Sequence, residues 1–297
     1  MAETQLIRIE HPAPLPPRPA DGNKGTFGRL LIVGGNEEMI GAPVLAGTAA
    51  LRTGAGLVQI AMPQSVLPIA LSICPELIGL GLANTANQKL LQAAQKSDAL
   101  VVGPGLGQSP AARKRLLALT ALDKPMVVDA DALNLLAAMK HWPAAKFKAH
   151  AVLTPHPGEM RRLSRLLPPR QTGAWSSATE PIPSEESSRI QIATLAASQF
   201  RQVVVLKGQR TVVTDGKRIY INQTGDSTLA KAGTGDILSG ILGCLLAQNL
   251  QPFQAATLAV WLHGRAGELA GKTHGQRSAL GRDVIDHLSA AIKETNG

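Results

Sequence analysis

DALVVGP (98–104), PMVVDA (125–130), AVLTP (151–155) and QVVVLKG (202–208) decide the fold. Each is a short apolar run in which β-branched residues cluster between turn-forming or polar boundaries, the pattern of a strand buried on both faces. RLLIV (29–33) and LVQIAM (57–62) extend the series toward the N-terminus. Between these runs, helical spacing fits 42–53, 86–97, 109–119, 131–139, 157–167 and 186–200. Strands separated by helices of this length predict right-handed crossovers and a largely parallel sheet covered on both faces. TVVTDGKRIYIN (211–222) breaks the rhythm, because Asp215-Gly216 between two strand-like runs predicts a late β-hairpin. Helices near 235–249, 253–270 and 281–293 should close the chain.

The expectation is therefore an α/β protein with one domain over 24–297, preceded by a proline-rich lead at 1–23. No internal repeat and no linker divides it. The segment 168–186, PPRQTGAWSSATEPIPSEE, holds four prolines and no apolar period, and reads as a flexible surface insert. Its Trp175 could anchor a partner, but a plain loop is the simpler reading.

With 297 residues, 44% hydrophobic and 17% charged, the chain can bury a large core, and dominant disorder is excluded. Cys74 and Cys244 lack CxxC spacing, so neither a disulfide framework nor a zinc site can be assembled, and a reducing compartment is favoured. The start, MAETQLIRIEHPAPLPPRPADG, has no apolar leader core, and no stretch is apolar enough to span a bilayer. These features predict a soluble, cytoplasmic protein without a membrane partner. A net charge of +9 is compatible with nucleic acid or with small polyanions. The one basic triplet, Arg113, Lys114 and Arg115, falls on an expected solvated helix face, and at 3% aromatics the stacking platforms of nucleic-acid binders are missing. Small phosphorylated ligands fit better.

The sharpest local signal is KAGTGDILSG (231–240). Small residues ahead of a helix let backbone N–H groups approach an oxyanion, aided by the helix dipole. Asp236 in the first turn is either a cap or a general base beside that anion hole, and spacing leaves both open. Asp131 of DADALN (129–134) reads as an N-cap, whereas Asp129 at a strand end could line a site.

GTGD before an apolar helix resembles the ribokinase-like superfamily. GRLLIVGGNEEMIGAPVLAGTAALRTGAGLV (28–58), VVGPGLG (101–107), VVDADALNLL (127–136), VLTPHPGEMRRL (152–163) and VVLKGQRTVV (204–213) narrow the likeness. They occur in the order found in ATP- or ADP-dependent NAD(P)H-hydrate dehydratases, across most of 24–271. This resemblance implies a ribokinase-like fold and the nucleotide-driven repair of NADHX and NADPHX, the hydrated reduced nicotinamide cofactors. It makes Asp236 the catalytic base. Ala42, Gly105 and His156 would contact the hydrated cofactor together with Asp236. Lys207, Gly208, Gln209, Arg210 and Thr211, with Gly233, Thr234 and Gly235, would bind ADP or ATP. Glu159 would order Mg2+ through water. The resemblance further implies a homotetramer and an epimerase carried by a separate protein.

TGDSTLAKAGTGD (224–236) departs from the Asn-rich or Gly-Gly version of many relatives, with Asp226 and Lys231 in that stretch. Two other readings remain open at this stage. A small-molecule kinase of the same superfamily, of the hydroxymethylpyrimidine or hydroxyethylthiazole type, would use Asp236 identically but retain the phosphoester. A regulatory protein without catalysis would keep GTGD only as an anion hole.

Overall fold

The structure, a computed structural model, describes residues 6–83, 87–142, 147–167, 182 and 184–295. Most of the insert expected at 168–186, including Trp175, lies outside the described residues.

Among the described residues ten strands form one sheet: β1 (Ile7–Ile9), β2 (Arg29–Val33), β3 (Leu57–Pro63), β4 (Ile78–Leu82), β5 (Ala99–Val102), β6 (Pro125–Val128), β7 (His150–Leu153), β8 (Val203–Leu206), β9 (Val212–Thr214) and β10 (Arg218–Ile221). Their spatial order is β1-β10-β9-β8-β7-β6-β5-β2-β3-β4. Every pairing is parallel except those of β9, which runs antiparallel to both β8 and β10. The hairpin expected around Asp215-Gly216 is β9–β10.

Successive side chains of a strand point to opposite faces. Leu30 and Ile32 accordingly enter one core and Leu31 and Val33 the other. The first core is covered by α1 (Gly41–Thr53), α2 (Leu67–Ile73), α8 (Thr234–Ala247), α9 (Pro252–His274) and α10 (Gly281–Glu294). The second is covered by α3 (Asn87–Lys96), α4 (Pro110–Thr120), α5 (Asp131–Ala137), α6 (Pro157–Leu163) and α7 (Glu186–Phe200). Burial on both faces is why the strands read as unbroken apolar runs rather than alternating ones. The expected α/β fold class is borne out, with a largely parallel sheet covered by helices on both faces and three helices at the end. No described helix is long and apolar enough to cross a membrane.

Helix α8 sets the position of the GTGD motif. From Ile237 to Ala247 every residue is buried, so it runs through the core rather than over it. It crosses α1 so closely that a Cβ on Gly240 would stand 2.0 Å from the Ala46 carbonyl oxygen, and only glycine fits. This crossing fixes the start of α8 at the carboxyl edge of the sheet.

Several local expectations are corrected. Asp131 is not an N-cap; it is the first residue of α5, whose cap is Ala130 at φ 49°, without a side-chain bond. Its carboxylate instead accepts the Gly107 N–H at 2.8 Å. Arg115 does not share the solvated face of Arg113 and Lys114: it is buried and donates to the Ala83 carbonyl at 2.9 Å. The helix expected over 157–167 stops at Leu163 and tightens into a 3-10 turn at Ser164–Leu166. The α2–β4 unit carried too weak a signal, with one seven-residue helix and a strand, IGLGL, that has glycine where β-branched residues would announce it. The lead also supplies β1, which pairs with β10.

Candidate active site

Neighbouring strands β2 and β5 send the chain in opposite directions, β2 toward β3 and β5 toward β6. Ligands of open α/β sheets bind in the crevice that opens beyond the carboxyl ends at such a switch point. Here the two strand ends are tied together, with Gly103 N–H donating to Val33 O at 3.0 Å and Gly35 N–H to Pro104 O at 2.9 Å. Gly105 follows at φ 62°, where a Cβ would come within 2.8 Å of Met39 O and 3.3 Å of the Ala42 Cβ. Two of the expected substrate contacts, Ala42 and Gly105, are thus side by side. Asn36 Nδ2 donates to the Gly105 carbonyl at 3.0 Å and secures the loop.

Three strand ends further along, those of β6, β7 and β8, supply a charged cluster. Lys207, just past β8, places its Nζ 2.8 Å from Asp129 Oδ1 and 3.8 Å from Glu159 Oε2. Asp129, just past β6, is 1% exposed, and its other oxygen accepts the Ser239 hydroxyl at 2.7 Å. Burial by itself would lower the Lys207 pKa, but Asp129, Glu159 and Asp236 around it hold it above the ordinary value. Glu159 accepts the His156 N–H at 2.8 Å, closing a capping box in which His156 Nδ1 takes the Gly158 N–H at 3.0 Å. Burial pushes Glu159 up, and Lys207 opposes that shift. His156 is half-exposed, and burial followed by repulsion from Lys207 and Arg162 lowers its pKa.

Asp236 is the third residue of α8. The cap of that helix is Gly233 at φ 89°, with no side-chain bond, so the capping reading of Asp236 fails. Its carboxylate takes no hydrogen bond from the described residues. Burial first, then the charges of Asp129, Asp131 and Glu159, raise it to about 7, with Lys207 opposing. Such a group is half-ionised at neutral pH and can exchange a proton with a bound ligand. Thr234 turns its hydroxyl inward to Leu229 O and Lys231 O, both at 2.8 Å, leaving only its backbone for a ligand. A Cβ on Gly235 would face Lys207 Nζ at 3.4 Å, so the start of α8 and the end of β8 meet across one gap.

The turn from Lys207 to Thr211 lies between β8 and β9. Gly208, Gln209 and Arg210 are exposed, and the Thr211 hydroxyl closes the turn onto Gly208 O at 2.8 Å. Arg210 is held by Glu186 and by Gln223. Asp226 and Lys231 are turned toward the α9–α10 connection: Asp226 accepts from Gln276, and Lys231 donates to Arg277 O and Ala279 O at 2.5 Å each. Their charges hold that loop rather than reach across to Lys207.

Three residues escaped the sequence reading. Ser239 lies three positions after Asp236 on α8 and so on its face, a spacing that could have flagged it. Arg189 of α7 is buried. His263 of α9 is also buried, with Nε2 unpartnered among the described residues; burial, partly offset by the Thr234 backbone, takes its pKa to about 4. Nothing in the local pattern marked either.

The family model of NAD(P)H-hydrate dehydratase matches residues 30–289. The chain spans about half the length of the first curated relatives it matches, such as the bifunctional NAD(P)H-hydrate repair enzyme of Moorella thermoacetica, 39% identical over 94% of this chain and 52% of that one. An ADP-dependent (S)-NAD(P)H-hydrate dehydratase of Neisseria meningitidis is 38% identical over 89% of this chain and 84% of its own. Among solved structures, the ADP/ATP-dependent NAD(P)H-hydrate dehydratase of Bacillus subtilis, co-crystallised with ATP and Mg2+, superposes with a TM-score of 0.78 at 31% identity, covering 95% of both chains. A match this extensive, on a crevice already built around Asp236 and Lys207, means that the chain belongs to the NAD(P)H-hydrate dehydratase family.

Proposed function

We propose that this protein restores NADH and NADPH from their hydrates, spending one phosphoryl group of ADP or ATP per turnover. The observation that carries the reading is Asp236: a carboxylate with a pKa of about 7, free of hydrogen bonds from the described residues, at a helix N-terminus without a side-chain cap and facing a lysine. In this course Asp236 takes the proton of the C6 hydroxyl on the hydrated ring as that oxygen attacks the terminal phosphoryl of the nucleotide. The amides of Gly233, Thr234 and Gly235, at the positive end of α8, and the Lys207 ammonium meet the charge on the transferring oxygens. Hydroxide, a poor leaving group, becomes phosphate. The ring nitrogen lone pair expels it, and loss of a C5 proton from the resulting iminium regenerates the dihydronicotinamide without a protein nucleophile.

Ala42, Gly105 and His156 support a hydrated-cofactor side to the crevice, and Lys207, Gly208, Gln209, Arg210 and Thr211 with Gly233 to Gly235 a nucleotide side. The charge balance suits a divalent cation, since Asp129, Glu159 and Asp236 surround the single Lys207 ammonium. No three acidic, histidine or cysteine side chains among the described residues form a metal cage, so Mg2+ would ride on the nucleotide's phosphates, with Glu159 reaching it through water. There it would neutralise phosphate charge. The implied homotetramer has a surface to use: Ile69, Ile73 and Ile78 are 52%, 60% and 45% exposed on α2 and the edge strand β4. Phosphorus NMR of the products tests the reading. Free phosphate with regained dihydronicotinamide supports it, whereas a stable phosphoester would make the protein a kinase and nucleotide binding without turnover a regulator.

A further inference from the structure

Arg189 is the fourth residue of α7, near the positive end of that helix dipole, where a cation is disfavoured. It is 8% exposed, and among the described residues no carboxylate lies within ion-pair distance of it. A buried arginine ordinarily pairs with an acid. Glu186, the nearest candidate on its own helix, is instead bonded to Arg210. Among the described residues, the donors that Arg189 uses go to main-chain carbonyls of one turn: Nη1 to Gln209 O, and Nη2 to Leu206 O at 3.1 Å and Lys207 O at 3.3 Å. Its Nε has no partner among the described residues. The guanidinium sits so close that a Cβ on Gly208, itself at φ 141°, would stand 3.0 Å from Nη2.

In a trans peptide the C=O and N–H point in opposite directions. Gripping the carbonyl of residue 206 therefore aims the Lys207 N–H away from Arg189, and that amide does bond Pro155 O at 2.9 Å. Gripping the carbonyls of 207 and 209 aims the amides of Gly208 and Arg210 away in the same manner. Neither amide has an acceptor among the described residues, and the Gly208 carbonyl is occupied by Thr211. Among the described residues the carbonyls of 206 to 209 are thus all satisfied while the Gly208 and Arg210 amides are bare, an arrangement that suits an anion.

We propose that Arg189 is the positioning residue of the nucleotide-binding turn: by holding the carbonyls of Leu206, Lys207 and Gln209 it presents the Gly208 and Arg210 amides to the phosphate oxygens of the nucleotide. The inference rests on the reading of Lys207 to Thr211 as nucleotide contacts. It concerns affinity for the nucleotide and leaves the proton chemistry at Asp236 untouched.

The test is ADP titration by calorimetry, with steady-state kinetics for each substrate, on Arg189→Ala, Arg189→Lys and Gly208→Val. Arg189→Ala should weaken ADP binding at least tenfold, about 1.4 kcal/mol, raise the nucleotide KM in parallel, and leave the KM for hydrated NADH within about twofold. Ethylguanidinium in millimolar excess should restore most of the lost affinity. Arg189→Lys, which keeps the charge but cannot span three carbonyls, should fall between, and it decides the matter if the alanine variant does not fold. Wild-type affinity in a folded Arg189 variant, or a loss shared equally by both substrates and not rescued by ethylguanidinium, overturns the proposal. Gly208→Val separates the two layers. If it weakens ADP binding while the Arg189 variants do not, only the positioning role is lost; if it binds ADP as wild type does, the assignment of the turn falls and the positioning role with it.

Discussion

Asp236→Asn should abolish turnover and at the same time stabilise the fold. The carboxylate makes no hydrogen bond to the described residues, so an amide of the same shape disturbs no network. What it removes is a base with a pKa near 7, and loss of a general base costs about 10²- to 10⁴-fold in rate. Stability moves the other way. Asp236 is raised from 3.8 unfolded to about 7 folded, so its protonated form favours the native state and its ionised form opposes it. That opposition grows as pH climbs from about 4 to about 7 and is level above. It corresponds to on the order of 2–4 kcal/mol at pH 8, a penalty that asparagine does not carry. The variant should therefore melt several degrees above wild type at pH 8, with the gap closing toward pH 4. In the wild type, kcat/KM should rise toward a plateau above pH 7 as Asp236 ionises. Near wild-type turnover in folded Asp236→Asn would refute the base assignment, and a pH-independent melting difference would refute the electrostatic account of its pKa.

Three other substitutions follow from the same cluster. Gly235→Val points a branched side chain into the gap toward Lys207, so ADP affinity should fall by more than tenfold while the KM for hydrated cofactor is spared; calorimetry and kinetics read both. Lys207→Met removes the one cation that opposes the rise at Asp236, so any residual activity should show its pH midpoint above 7; leaving Asp129 and Glu159 uncompensated should also cost roughly 3–5 kcal/mol in urea unfolding. Ser239→Ala takes a buried hydroxyl from the Asp129 carboxylate, and about 1.5–3 kcal/mol of stability should go with it, measured in the same way.

The parallel core was legible because β5, β6, β7 and β8 are buried on both faces and so appear as unbroken β-branched runs. Asp215-Gly216 announced the hairpin through turn chemistry alone. The α2–β4 unit was missed because IGLGL trades side-chain signal for close packing, and β1 because its partner β10 lies more than two hundred residues away along the chain. Asp131 misled for a similar reason. A carboxylate before an apolar run looks like a cap, but Ala130 takes the cap position and Asp131 is drawn to the Gly107 amide of another loop. Motif order named Lys207, Glu159 and Asp236, yet only the fold shows that the Lys207 ammonium pairs with Asp129 and Glu159 and feels the charge of Asp236, that Arg189 grips the Leu206 and Lys207 carbonyls from α7, and that Ser239 donates to Asp129 from α8. Long-range pairing of charges has no periodicity in a sequence.

The central claim is tested most directly by adding the purified protein to NADHX with Mg2+ and ADP or ATP and following the absorbance of the reduced nicotinamide. The account predicts recovery that requires one of the two nucleotides, releases one phosphate for each NADH regained, and is lost in Asp236→Asn. Recovery that proceeds without nucleotide, or nucleotide consumption that leaves NADHX phosphorylated and the absorbance unrestored, would contradict it.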